Sequence, residues 1–357
     1  MDLWNRVTEK VGTINIEEMQ GKSIVLFGAG RVGFSAYEHI VNDGYRVTAF
    51  ADNNVNKWRD EKINEIPIIS PECIQENAVV IITVQASNYN YIKHQLSMIH
   101  AKYYTYAEYV IRKKFDKFEY VYNNLLSDDC SKMVYCKLML AYLEGDISLL
   151  REIYTSEQYF APYEMKKINK DEVFMDIGAY VGDTVEQFIW KRSAIFKAII
   201  AFEPVRTTYK ALMTRMKRLE REWAIEEGKI RIIQMAVGNQ NGMVGFSNKN
   251  LAPECRMALS NEEHACEIQV TTLDDFVKSQ SIQPTFVKAD IEGEEKNLIL
   301  GAKETVSLYK PLLAICVYHN VDDLYEIPIL INSINNEYRM KLMHHGTVFS
   351  ETVLYCY

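Results

Sequence analysis

The chain has 357 residues, 48% of them hydrophobic and 25% charged, with a formal net charge of -8. Domains usually settle near 100 to 200 residues, so two units are expected, and an acidic balance argues against a nucleic-acid partner. Its seven cysteines contain no CxxC pair and suit neither a disulfide framework nor a zinc site, and no apolar stretch reaches the roughly 18 residues of a membrane helix.

In chain order, "MDLWNRVTEK" has no apolar signal core, so a cytoplasmic location with no membrane span is expected. The runs "SIVLF", "RVTAFADN", "AVVIITV" and "YYTYAEYV" then alternate with segments of helical period such as "SAYEHIVNDG" and "NYNYIKHQLSMIHA". That alternation is the pattern of a parallel sheet covered by helices, and it defines a first domain over 1–108. Over 109–170 the period is helical, as in "CSKMVYCKLMLAYLEG", which reads as a packed connector and not a flexible linker. A second alternation fills 171–357 with "EVFMDIG", "AIIAFEP", "KIRIIQMAVGN", "CEIQVTTLDDF", "TFVKADIEG", "PLLAICVYH" and "TVLYCY". The expected fold class is α/β: two Rossmann-like, doubly wound domains joined by a helical connector.

Each domain carries one glycine loop. In the first, "GAGRVG" places Gly28, Gly30 and Gly33 between a strand and a helix, with Asp52 at the end of the next strand. Such glycines let backbone approach a pyrophosphate while the acid bonds a ribose hydroxyl, which makes these four residues a candidate second nucleotide site. An equally weighted reading is that the turn needs positive φ and close packing with no ligand at all. "ADNNVNKW" and "IPIISPECI" resemble the N-terminal Rossmann-like domain of sugar-modifying acyltransferases and their relatives, which implies a nucleotide sugar as the candidate ligand there. An NAD-dependent oxidoreductase, or a non-catalytic nucleotide-sugar-binding protein, is therefore the alternative function, although no catalytic set for hydride transfer accompanies the loop.

The second loop, "DIGAYVGDT" at 176–184, differs in charge. Carboxylates this close would repel a phosphate and favour a ligand carrying an ammonium and a sulfonium. Glu203 ends the following strand in "AFEP", where a doubly wound sheet sets a carboxylate against ribose hydroxyls. S-adenosylmethionine combines these features.

Taken in order, "DIGAYVGDT", "AFEP", "AVGNQNG", "TTLDDF", "KADIEGEE" and "PLLAICVYH" resemble the FkbM family of S-adenosylmethionine-dependent methyltransferases over roughly 171–357. "LLSDDCSK" and "EQYFAPYE" extend the resemblance to family members with an N-terminal Rossmann-like domain. The resemblance implies a class I methyltransferase fold for the C-terminal domain. It implies that Asp176, Gly178 and Gly182, with Ala179, Asp183 and Thr184 of the same loop, hold the methionine part of the cofactor. Glu203 would hold the ribose, and Ala236 and Val237 would lie near the adenine edge. Lys288, Asp290 and Glu292 of "KADIEG", with His319 after "AICVY", become the candidates for acceptor chemistry. Asp290 or His319 would take the acceptor proton and Lys288 would orient a polar group.

Plainer roles compete. Asp290 and Glu292 could cap the helix starting near Gly293, His319 could be a satisfied strand-end residue, and Lys288 a strand-edge charge. Asp274 and Asp275 read as a helix entry, the tyrosines of 103–109 as strand and core aromatics, and the basic run of 210–222 as a solvated helix face. Asp290, Glu292 and His319 are metal-ligand types, but displacement at a sulfonium needs no metal and none is expected. The family resemblance implies a small-molecule or glycan acceptor methylated on oxygen: a sugar hydroxyl, or a hydroxyl of a secondary metabolite. Oligomeric state is not readable from the sequence.

Overall fold

A computed structural model describes residues 2–58, 62–63, 65–84, 88–247 and 265–357. The chain divides into two compact units. One comprises Met1–Tyr122, Lys132–Tyr154 and Gly346–Phe349, and the other Asn123–Ser131, Thr155–His345 and Ser350–Tyr357. Among the described residues no helix is long and apolar enough to cross a membrane.

The first unit is built on strands β1 (Ser23–Phe27), β2 (Arg46–Ala51), β3 (Lys62–Ile63), β4 (Ile66–Ile69), β5 (Val79–Ile82) and β6 (Lys102–Thr105). They lie in the order β3-β4-β2-β1-β5-β6, parallel except for the short β3–β4 pair. The central strands are almost wholly apolar because helices cover both faces of such a sheet. Thr105 and Glu108 form a reciprocal cap that starts the helix Tyr106–Lys113, whose Tyr106 and Tyr109 are buried. The tyrosine run is thus used in strand and core. Further helices cover Phe115–Tyr120, Asp129–Glu144 and Ser148–Arg151.

In the second unit the strands are β7 (Val173–Ile177), β8 (Ala198–Phe202), β9 (Ile230–Ile233), β10 (Ala236–Gly238), β11 (Gly242–Ser247), β12 (Ala265–Thr272), β13 (Phe286–Ala289), β14 (Leu312–Cys316), β15 (Met340–His344) and β16 (Thr352–Cys356). Seven of them form a sheet in the order β15-β16-β14-β13-β7-β8-β9, with β16 antiparallel to both its neighbours. The order reverses between β7 and β13, and ligands of open α/β sheets bind beyond the carboxyl ends at that switch. A smaller sheet, β10-β12-β11, flanks it.

Aromatic packing fastens the switch strands. Phe174 of β7 stacks on Phe188 of the helix Asp183–Lys191 at 4.3 Å between ring centroids, and Phe286 of β13 lies 5.0 Å from Phe174. All three side chains are fully buried, so truncating any of them would cost about 3–5 kcal/mol. The loop that follows β7 therefore starts from a rigid base.

Candidate active site

Backbone geometry makes the loop after β7. Gly178 adopts φ +79°, and a Cβ there would stand 2.0 Å from the Asp290 carbonyl oxygen, so only glycine lets the β7 and β13 ends approach this closely. Phe202 carbonyl accepts from the amides of Gly178 and Ala179, while Glu203 Oε2 accepts from Tyr180 N at 2.9 Å. The same carboxylate takes Val205 N at 2.9 Å and the Thr208 hydroxyl at 2.7 Å through Oε1. Burial raises the Glu203 pKa, with the Thr208 hydroxyl and two backbone donors pulling the other way.

A cavity of about 630 Å³ opens at this end of the sheet. One side is made by Gly178, Tyr180, Asp183, Thr184, Glu203, Ala236 and Val237, and the other by Lys288, Asp290, Glu292, His319, Tyr159 and Tyr318. Ten expected site residues thus line one cavity. Three do not. Ala179 is buried with its amide spent on Phe202, and Gly182, at φ +85°, faces Met216 and Leu212 of the helix Arg206–Glu222. Asp176 is the larger difference: its carboxylate is fully buried beneath the loop and pairs with Lys288 Nζ at 2.9 Å, instead of lining the cavity. Its register opposite Lys288 on β13 enforces that pairing.

Lys288 Nζ also donates to the Gly178 carbonyl at 2.9 Å and sits 5.1 Å above the Tyr159 ring. Burial opposes its charge, but Asp176 and Asp290 outweigh burial and keep the lysine protonated. Lys288 therefore ties the loop to β13, and its ammonium is already engaged.

Asp290 Oδ2 accepts from the Tyr159 hydroxyl at 2.8 Å, and Oδ1 from the Tyr318 hydroxyl at 3.1 Å. Burial would raise its pKa, yet Lys288, His319 and the two hydroxyls together hold it below the ordinary carboxylate value. Burial also pulls His319 down, but Glu295, Asp290 and Glu292 push it up to about 9. These carboxylates favour the protonated form of His319, one of the two expected bases, the other being Asp290.

Three of the plainer roles resolve in structural terms. Glu295 closes the turn after β13, accepting from Ile291 N at 2.8 Å and Gly293 N at 3.0 Å, the job expected of Asp290 or Glu292. Asp274 accepts from Glu304 N and Thr305 N at the start of the helix Lys303–Tyr309, and Arg218 pairs with Glu186 and Glu222 on the helix surface. Tyr159, Tyr318, Thr208 and Glu295 were missed as site residues. The adjacency of Tyr318 to His319 and the last glutamate of "KADIEGEE" were the available signals.

In the first unit, Asp52 Oδ2 accepts from Ala29 N at 2.9 Å and pairs with Lys57 Nζ at 3.0 Å. Lys57 in turn donates to the Ala29 carbonyl. A Cβ on Gly33 would stand 2.0 Å from the Gly28 carbonyl oxygen, and one on Gly28 2.8 Å from that of Thr83, whereas Gly30 has open space. Gly28 and Gly33 thus serve close packing, and the acid expected to meet a ribose holds the loop itself.

Residues 176–346 match the family model of the methyltransferase FkbM domain. The chain carries an FkbM-type methyltransferase domain. The crystal structure of methyltransferase FkbM from Methylobacillus flagellatus KT is similar over 99% of both chains, with a TM-score of 0.62 and 20% identity, which extends the shared fold across both units. A putative methyltransferase from Streptococcus mutans in complex with SAH matches 53% of this chain and 90% of its own at TM-score 0.34 and 11% identity. A putative rRNA-methylase from Clostridium thermocellum matches 54% and 89% at 0.34 and 8%. No curated protein matches the sequence. The cofactor of the FkbM domain is S-adenosylmethionine, and this site fits it. Glu203, on the cavity wall, uses three of a carboxylate's roughly four acceptor positions, leaving capacity for a ribose hydroxyl.

Proposed function

We propose that the protein transfers a methyl group from S-adenosylmethionine to a hydroxyl of an uncharged acceptor, a sugar of a glycan or glycoconjugate or a secondary-metabolite hydroxyl. One observation carries the reading: the glycine loop and Glu203 share a single cavity with Asp290, Glu292, Tyr318 and His319. Among the described lining residues the cations are Lys288 and His319, and carboxylates hold both. Glu351 and Glu294 add further negative charge to the wall. A phosphorylated acceptor would meet this acidic wall with both described lining cations already held by carboxylates, whereas a neutral polyol finds donors and acceptors.

The bound cofactor supplies an electrophilic methyl on sulfur. Gly178, Glu203, Ala236 and Val237 would hold the cofactor, and Asp290, steadied by two tyrosine hydroxyls, would accept the hydrogen bond of the acceptor hydroxyl. Bound S-adenosylmethionine would supply a methyl carbon open to displacement by the acceptor oxygen, the carbon–sulfur pair returning to sulfur, and the hydroxyl proton held at Asp290 would leave to solvent. Alignment supplies most of the rate in this scheme, about 7–11 kcal/mol in well-oriented models.

The test is transfer of labelled methyl from S-adenosylmethionine to panels of neutral glycosides, their phosphorylated counterparts and polyhydroxylated metabolites. Label in a neutral hydroxyl, lost in Asp290→Asn, is expected. Transfer to phosphorylated acceptors alone, or to an amine alone, would overturn the acceptor reading.

A further inference from the structure

The segment 155–160 lies outside any helix or strand, yet it brings Gln158 and Tyr159 to the cavity wall and the Tyr159 hydroxyl to Asp290 Oδ2 at 2.8 Å. Glu157 and Tyr159 both hold a left-handed backbone, at φ +66° and +67°. That conformation is costly for a residue with a Cβ and persists only where the surroundings over-determine it. A buried polar chain from the C-terminal strands supplies the constraint. Thr155 N donates to the carbonyl of His344, the last residue of β15, at 2.8 Å, and the Thr155 carbonyl lies 2.6 Å from His345 Nδ1. Tyr159 N donates to the hydroxyl oxygen of Tyr355 on β16 at 2.9 Å, and that hydroxyl lies 2.8 Å from His345 Nε2.

The directions of these bonds follow from the groups at the ends. A carbonyl only accepts, so His345 Nδ1 carries a hydrogen. Burial favours the uncharged ring, although the bond to Thr155 pulls the other way, and an uncharged ring with its hydrogen on Nδ1 leaves Nε2 an acceptor. Tyr355 therefore donates its hydrogen to Nε2 and offers its oxygen to the Tyr159 amide, which can only donate. The Tyr159 hydroxyl accepts from the Gln158 side-chain amide at 3.1 Å and donates to Asp290. Tyr159 is thus gripped at both ends, its amide by Tyr355 and its hydroxyl by Asp290. Tyr355 and His345 are buried and do not line the cavity. A phenylalanine in place of Tyr355 would fill the same space, so packing alone does not account for the hydroxyl and its histidine partner.

We propose that Tyr355 and His345 are positioning residues for methyl transfer: they hold the Tyr159 backbone, and through it the hydroxyl that fixes the Asp290 carboxylate. The effect on rate rests on the acceptor reading above, in which Asp290 takes the hydrogen bond of the acceptor hydroxyl. The hydrogen-bonded chain from His345 to Asp290 does not rest on that reading.

The experiment has two arms. Nitrogen-15 NMR of the imidazoles at pH 7, with His345 assigned by its absence from His345→Asn, should show a hydrogen on Nδ1 and a bare, hydrogen-bonded Nε2, and the Nε2 resonance should shift in Tyr355→Phe. In the same arm, the carbon-13 shift of the Asp290 carboxyl should move in Tyr355→Phe in the direction it moves in Tyr159→Phe. Any other protonation pattern on His345, or an Asp290 resonance indifferent to Tyr355→Phe, would overturn the chain. The second arm is methyl transfer to a hydroxyl acceptor at saturating substrate. Tyr355→Phe should lower kcat by about tenfold, short of the roughly 10²-fold of a 1 Å misplacement, with S-adenosylhomocysteine affinity unchanged. In a Tyr159→Phe background the hydroxyl through which Tyr355 acts is gone, so Tyr355→Phe should lower kcat by less than about twofold further. An equal loss in both backgrounds, or a lowered Tm with wild-type kcat, overturns the positioning role. Tyr355→Phe keeps the buried ring, and if it fails to fold, His345→Asn, which keeps a donor for Thr155, takes its place in both arms, with the tautomer read in the wild type. No transfer to any hydroxyl by the wild type, with the NMR shifts as expected, overturns the acceptor reading and leaves the chain to Asp290 standing.

Discussion

Replacing Gly178 with alanine tests the argument at its narrowest point. The residue sits at φ +79°, and an added Cβ would be 2.0 Å from the Asp290 carbonyl oxygen and 2.9 Å from Ile291 Cγ2. The left-handed backbone alone costs an L-residue about 1–2 kcal/mol. The overlap adds to this, because the obstacle is backbone: ordinary contact begins near 3.4 Å, so the β7 loop and the end of β13 must part by about 1.4 Å. A total of about 3 kcal/mol is expected, which in a unit of this size lowers Tm by about 6–12 °C. The displaced segment carries Asp290, and a misplacement of about 1 Å in a reactive geometry can cost on the order of 10²-fold in rate. Thermal melts, titration with S-adenosylhomocysteine and methyl-transfer rates measure the three effects. Gly182→Ala provides a graded comparison, since its Cβ would meet the flexible tips of Met216 and Leu212; it should lose stability with a smaller loss of cofactor affinity. Gly30→Ala, with nothing within 4 Å, should change Tm by little. A Gly178→Ala protein with wild-type Tm and cofactor affinity would refute the close-approach argument.

Lys288→Met should destabilise the second unit by about 3–5 kcal/mol by leaving Asp176 buried without its partner, and the double variant Asp176→Asn/Lys288→Met should recover part of that loss in denaturant melts. Glu203→Ala removes an acceptor for Tyr180 N, Val205 N and the Thr208 hydroxyl together, so S-adenosylhomocysteine affinity should fall by more than about tenfold, with Glu203→Gln milder. Tyr318→Phe should lower kcat by about tenfold while leaving cofactor affinity near wild type, because it removes one donor to Asp290 and no cofactor contact. In the first unit, burial raises the Asp52 pKa, but Asn54, Lys57 and Ala29 outweigh it and the net shift is downward. Its stabilising contribution is therefore present above the ordinary aspartate pKa and lost as pH falls through the lowered value. Asp52→Asn should accordingly be less stable than wild type at pH 7, with the gap closing toward pH 3, and unchanged in binding S-adenosylhomocysteine at pH 7.

Much of the site was written in local sequence. The apolar runs before "DIGAYVGDT" and "GAGRVG" could only be buried parallel strands, and the loops after them stand where such sheets turn. Glu203 and "KADIEG" were legible because a strand's last residues fall at its carboxyl end whatever the rest of the chain does. Which way a side chain points there was not legible. Asp176 and Lys288 face each other because β7 and β13 pair in one register, and that register buries the acid beneath the loop it was expected to serve.

The same distinction separates the two glycine loops. Spacing alone makes Asp52 and Glu203 look equivalent, each an acid ending the strand after a glycine turn. Tertiary structure gives Asp52 the Ala29 amide and the Lys57 ammonium of its own neighbourhood, and sets Glu203 on the wall of a cavity with acceptor capacity to spare. Tyr159, Tyr318 and Glu295 belong to the site through contacts with Asp290 and His319 made across different elements of the unit. Sequence periodicity determines which residues are buried and where strands end, because those depend on local pattern and hydrophobicity. Hydrogen-bond partners and the charge state of a buried group depend on which strands pair and in what register, and only the folded chain decides that.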